Sequence, residues 1–201
     1  MSKIALTPNA SGTGTFTIAA PNSDTDRSLT LPDGAGTLDR LERAGNVLQV
    51  VSTTKTDTYS ESVSARGLGT DVTGLTATIT PKSASSRLLV YIVVNTSNES
   101  NAAAGFRLYR DGSAILIGDT RGSRNADTVG RNFSGGVADQ FNTFSFGEVP
   151  ANAATSTTFS IRLRNNAGST QTLYVNRSGT DSDDNARSTP ISSIMVMEIA
   201  G

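Results

Sequence analysis

The sequence predicts an all-β protein, an N-terminal β-hairpin arm followed by an antiparallel jelly-roll β-sandwich. Three observations predict it. Ser and Thr together make up 52 of the 201 residues, beside 19 Gly, with only 5% aromatic residues and no Trp. Thr and Val favour strands, while Gly, Asn, Asp and Ser supply turns. From Val47 onward, short strand-forming runs recur with turn residues between them, the pattern of a sandwich or jelly roll. Arg110-Asp111-Gly112-Ser113 is the clearest hairpin, because Asp-Gly suits a tight two-residue turn.

The elements follow in order. Thr15 to Ala20 alternates apolar with small or polar residues, Pro21 to Asp24 breaks the run, and Arg27 to Leu31 alternates again before Pro32-Asp33-Gly34. Two short strands about a polar turn read as a hairpin, which is marginal in water alone and must lean on a partner. Phe16, Ile18, Leu29 and Leu31 are the apolar positions it would present. Leu38 to Ala44 fits one or two helical turns with Leu38 and Leu41 on one face and Gly45 at the end, or else a loop. As a helix it makes sense as a neck where neighbouring copies bury their leucines. Residues 1–46 are therefore expected to form an arm and neck, and residues 47–201 the sandwich.

Within 47–201, strands are expected near 47–54, 58–65, 75–80, 87–96, 105–110, 113–118, 139–148, 157–164, 171–177 and 192–199. Two of them are apolar on both faces, Arg87 to Val94 and Ile194 to Met197. A sandwich strand normally buries one face and wets the other. The second face, with Leu89, Tyr91, Val93, Met195 and Met197, is expected to be covered by subunit contact about a three-fold axis, or else by a loop or the arm. Along Gln140 to Phe146, Phe144 and Phe146 share a face, while Phe141 opposes them or follows a bulge. Long polar segments at 97–104, 119–138 and 178–190 read as surface loops, where recognition concentrates. Arg121, Arg124 and Asn125, with Asp181, Asp183 and Asp184, are their candidate contact residues.

Composition narrows the function. Net charge is -1 and no basic run occurs, so nucleic acid is not an expected partner. The 14 Arg against 3 Lys suit directional hydrogen bonds at interfaces. The longest apolar run, Leu88 to Val94, is far short of the ~20 residues of a membrane helix, and Met1 to Ala20 lacks the pattern of an export signal. Without His or Cys there can be no Ser-His-Asp triad, Cys-His dyad, thiolate site or disulfide. The five Glu form no recognisable acid pair, and no phosphate-binding glycine loop is present. No enzymatic activity and no cofactor are expected.

Three weaker motifs have plainer explanations. Asp181-Ser182-Asp183-Asp184-Asn185 spaces oxygen ligands as a Ca²⁺ loop does, but lacks the Gly and bidentate Glu of an EF-hand and reads as an exposed turn. The sequons at Asn9, Asn95, Asn98, Asn132 and Asn176 are expected as chance matches in a chain rich in Asn, Ser and Thr. Arg107 and Arg110, beside Phe106 and Tyr109, could engage a saccharide; arginine stems lying over apolar surface are the expected arrangement.

Gly14 to Asn22 followed by Arg27 to Leu38 resembles a segment near the start of many bacteriophage fibre proteins. Val47 to Val51, Gly74 to Pro81 and the ending Ser192 to Ile199 are similar to phage fibre and spike domains. The resemblance implies a virion protein, usually trimeric, with a tip similar to the C1q/TNF type. No extended shaft is present, so a short fibre or spike, or an adaptor to another fibre, fits better than a long fibre. The expected partners are two further copies of the chain, other virion proteins of baseplate, fibre or capsid, and a host surface glycan or protein. Phe16, Ile18, Leu29 and Leu31 would dock on the virion. A head decoration protein that stabilises the capsid is the alternative, and a polysaccharide-degrading tip a lesser one.

Overall fold

Eleven strands are present in the structure, a computed structural model that describes residues 10–15, 17, 19, 22–26, 28, 43–99, 104–130, 141–185 and 187–201. They are β1 (Val47–Lys55), β2 (Tyr59–Val63), β3 (Leu68–Ile79), β4 (Arg87–Asn98), β5 (Ala104–Arg110), β6 (Ser113–Ile115), β7 (Val129–Gly130), β8 (Phe141–Pro150), β9 (Thr157–Asn165), β10 (Gln171–Val175) and β11 (Ser192–Ile199). The chain divides into two units, residues 1–38 and 39–201. Phe16, Ile18, Leu29, Leu31, Leu38 and Leu41 lie outside the described residues, and with them most of the expected hairpin and neck. Arg43 to Asn46 form a turn with Gly45 at φ 90°, and backbone pairing with Ala200 begins there.

All strands pair antiparallel in two sheets. Thr96 of β4 pairs with Phe141 on one side and Val175 on the other, so β10 and β11 follow one another along the same side of β4. They are one strand interrupted by residues 176–191. On their far side β1 and β2 likewise make one strand broken at 56–58. In the second sheet β6 and β7 share the edge of β5 opposite β9, interrupted by residues 116–128. Counting each interrupted strand once, the first sheet runs β1/β2, β10/β11, β4, β8 and the second runs β3, β9, β5, β6/β7. Except at the β5–β6 hairpin, the chain changes sheet between successive strands. Two four-stranded sheets joined in this way are a jelly roll.

Alternate residues point inwards, as the pleat requires. Leu88, Val90, Ile92 and Val94 of β4, with Ile194 and Val196, meet Leu75, Ile79, Phe106, Leu108, Phe159, Ile161 and Leu163 of the second sheet, all fully buried. Asp111 (φ 48°) and Gly112 (φ 79°) make the left-handed pair expected of the Asp-Gly hairpin.

Some boundaries differ from the sequence reading. β3 begins at Leu68 rather than near 75, because its glycine-bearing start is strand interrupted by two register shifts, with Gly74 at φ 78°. β6 ends at Ile115 instead of 118, because Leu116 turns to φ 49° and leaves the ladder. β7 was not expected at all. The segment 97–104 is only partly loop, since β4 continues to Asn98 and Asn95 to Asn98 are buried.

Buried polar side chains replace the backbone bonds lost at the interruptions, as burial demands. Asn176 (φ 61°) donates from Nδ2 to the carbonyls of Lys55 (2.9 Å) and Asp57 (3.0 Å) and accepts from Ser192 Oγ (2.6 Å). It thereby closes the breaks in both neighbouring strands. Thr128 Oγ1 accepts from Leu108 N–H (2.9 Å) at the last β5–β6 pair, where the edge passes from β6 to β7. Asn165 donates to the carbonyls of Val63, Ser64 and Ser169 and accepts from Ala167 N–H, tying two adjacent turns together.

Candidate interaction surfaces

The outward faces of the two sheets differ in chemistry. On the second sheet, Asp71 Oδ1 accepts from Arg162 Nε (2.7 Å) and Ser160 Oγ (2.9 Å), Thr78 bonds Thr158, and Arg162 lies 4.0 Å over the Tyr109 ring. The hydrogen bond from Arg162 holds the Asp71 carboxyl below its ordinary range against the opposing effect of burial. This is a face built for water.

The first sheet is built otherwise. Its pairing sets side chains in rows running from β1 through β11 and β4 to β8: Val50–Met197–Leu89–Glu148, Ser52–Met195–Tyr91–Phe146 and Thr54–Ser193–Val93–Phe144. A further row holds Val47, Ile199, Arg87 and Pro150. Phe146 is 71% exposed, Phe144 68% and Val50 50%. The charged members of these rows, Arg87 and Glu148, pair with each other at 3.1 Å on the margin. Four strands by about six residues make a footprint on the order of 400 Å² in the sheet plane. The largest apolar patch on a typical monomer is of this size, and such patches are often functional.

Leu89, Tyr91, Val93, Met195 and Met197 thus lie on one surface. Leu89, Val93, Met195 and Met197 are half-buried by their neighbours, and Tyr91 is exposed. Sequence reasoning left out the most exposed members, Phe144, Phe146, Val47 and Val50. The shared face of the two phenylalanines was legible. Missing was the register that sets them opposite Val93 and Tyr91. The side chain of Phe141 lies outside the described residues.

Opposite the end where residues 43–46 enter, turns and loops gather. Arg121, Arg124 and Asn125 are exposed in the excursion 116–128. The neck of this loop is held by Asp127, whose Oδ1 accepts from Arg164 Nε (2.9 Å) and Arg107 Nε (3.3 Å). Arg107 therefore holds a loop rather than covering apolar surface. Arg110 does both, donating to the carbonyls of Pro150 and Ala151 and to Thr157 Oγ1 while its guanidinium lies 5.8 Å over the Phe159 ring, the apolar contact expected of it. Asp181, Asp183 and Asp184 are exposed in 176–191, where Asp181 pairs with Arg177 at 3.3 Å. Among the described residues no three His, Cys, Asp or Glu converge as metal ligands, and no helix is long and apolar enough to cross a membrane. Of the sequon asparagines, Asn95, Asn98 and Asn176 are buried, and the Asn176 amide is already engaged as above. Asn9 and Asn132 lie outside the described residues.

Fold and surface together define a jelly-roll β-sandwich with one solvated and one apolar sheet face. No protein-family model matches the chain, and no curated protein matches it.

Proposed function

We propose that the chain is a non-catalytic structural protein that trimerises through the outer face of its first sheet. The assembly is read as a short phage tail fibre or spike. The carrying observation is the continuous apolar surface of Val50, Met197, Leu89, Met195, Tyr91, Phe146, Val93 and Phe144, bounded by a self-neutralised ion pair. A surface without net charge suits contact with copies of itself, because no like charges oppose each other about a symmetry axis. Burying a Phe or Tyr side chain contributes about 1.5–3 kcal/mol, so three aromatics per protomer form the core of a stable contact. The virion assignment draws on the resemblance of residues 14–38, 47–51, 74–81 and 192–199 to phage fibre segments. Residues 1–46 would then dock on the particle and the sandwich would project, its loops outermost. The same trimer on a capsid would be a head decoration protein.

Light scattering tests the assembly. A mass of about 63 kDa, three times the 20.9 kDa chain, is expected. A monomer would overturn it. Removal of residues 1–46 should leave a folded sandwich that no longer enters particles, and normal incorporation of that truncation would overturn the docking role.

A further inference from the structure

Where three loops meet, the sandwich forms an open basin of about 610 Å³, lined mainly by Arg66, Asp119, Ser123, Arg124, Asn125 and Asn166. The loops are fixed to each other. Arg66 N–H donates to the Ala167 carbonyl (3.0 Å), and Asn125 Nδ2 donates to Asn166 Oδ1 (2.8 Å). Beneath lies Asp127, carrying two guanidiniums on one carboxylate oxygen, so this buried cluster retains a positive charge. Arg66 and Arg124 form no side-chain hydrogen bond or ion pair among the described residues.

Arg66 is unusual in a second respect. It sits at φ 55° directly before Gly67, in a left-handed conformation that Gly or Asn adopts at lower cost. Its carbonyl accepts from Arg164 Nη1 (3.1 Å), a contact any residue could make. Among the described residues the fold therefore uses the backbone of Arg66 and gives its guanidinium no hydrogen-bond or ion-pair partner.

We infer that this basin binds an acidic saccharide, with the carboxylate of the sugar between Arg66 and Arg124 and its hydroxyls on Asn125, Asn166, Ser123 and Asp119. Two guanidiniums without partners among the described residues, over a positive floor, select an anion, and a guanidinium fork matches a carboxylate. Amides, a hydroxyl and one acceptor carboxylate suit a ring bearing several hydroxyls, whereas a bare anion would leave the Asp119 acceptor unused and be repelled by it. The assignment deepens the reading of these loops as the outward, host-contacting end and rests on it.

The test is isothermal titration of the full-length protein with three carboxylate-bearing oligosaccharides, an oligogalacturonide, an oligohyaluronate and an oligosialic acid. Neutral dextran oligosaccharide and inorganic phosphate serve as comparison probes. At least one acidic sugar should bind and weaken as salt rises, while dextran does not bind. Arg124→Ala and Arg66→Gln should each weaken binding at least ten-fold with unchanged melting temperature; Arg124, being exposed, isolates the effect from folding. No binding by any of the three sugars, unaltered binding by the Arg124 variant, or equal affinity for phosphate alone would overturn the assignment. Light scattering on the same samples separates the two proposals. A trimer that binds no acidic sugar overturns only the basin, and a monomer that binds one overturns only the trimer.

Discussion

Asn165 and Asn176 show how a single side chain can hold a fold whose strands are broken. Each is fully buried and satisfies backbone groups that the ladder leaves unpaired. Asn165→Ala would leave the Val63 carbonyl without this donor in the interior and would remove the part-buried bonds to the Ser64 and Ser169 carbonyls and the Ala167 N–H. An unsatisfied buried group costs about 1–3 kcal/mol, so a loss of about 3 kcal/mol is expected in urea unfolding, against near neutrality for a surface Asn. Glu198 is a fully buried acid. Burial pushes its pKa up, but the nearby Ser86 hydroxyl, Gln49 Nε2 (2.6 Å) and the N–H groups of Lys82 and Ser83 outweigh it, so the net shift is below the ordinary 4.5. A carboxyl with a depressed folded-state pKa stabilises the fold above its unfolded value, and that contribution is lost as pH falls through the folded one. Stability should therefore be flat above about pH 5 with respect to this group and fall below pH 4. Glu198→Gln, about 2 kcal/mol less stable near neutrality, should show a shallower acid limb. Equal acid limbs in the two proteins would remove this role.

At the scale of elements, the excursion 116–128 is a compact loop whose ends rejoin the same edge strand, and Asp127 is its clasp. Gly118 N–H also bonds the Asp127 carbonyl, closing the neck. Asp127→Ala leaves Arg164, with 7% of its side chain exposed, without its counter-charge. Removing one partner of a buried pair costs about 3–5 kcal/mol. The expected outcome is that loss together with faster amide exchange at Gly118 and Arg124, while the core of β4 and β9 stays protected. Exchange rates unchanged in the loop would mean that Asn125 and Thr128 suffice to hold it. The strand interiors were legible because the alternation of Thr157 to Arg164 and the continuous apolar run of Arg87 to Val94 are local. The interruptions were not, because nothing near Leu116 or Asn176 announces that the chain returns to the same edge 13 or 16 residues later.

At the scale of the molecule, the two sheet faces make opposite predictions. Replacing Phe146 or Tyr91 by Glu should dissociate the trimer from about 63 kDa to the 20.9 kDa chain, because three like charges would be brought together in an apolar contact. Neither residue lies in the core, so the monomer should keep its β-sheet circular dichroism. Thr78→Glu on the solvated face should leave the mass unchanged. A trimer that survives both first-sheet variants would place the contact elsewhere.

The sequence by itself determined the class of fold, the strand interiors, the Asp-Gly hairpin and the apolar second faces of β4 and β11. Each of these is set by the period-two pleat or by one turn's dihedral preference, and so is written within a few neighbouring residues. Only the tertiary structure decided that Phe144, Phe146 and Val50 join those faces in one surface, since that depends on pairing between strands 50 to 150 positions apart. It alone brought Arg66, Arg124 and Asn166 around one basin, because three loops distant in sequence converge only when both sheets are closed.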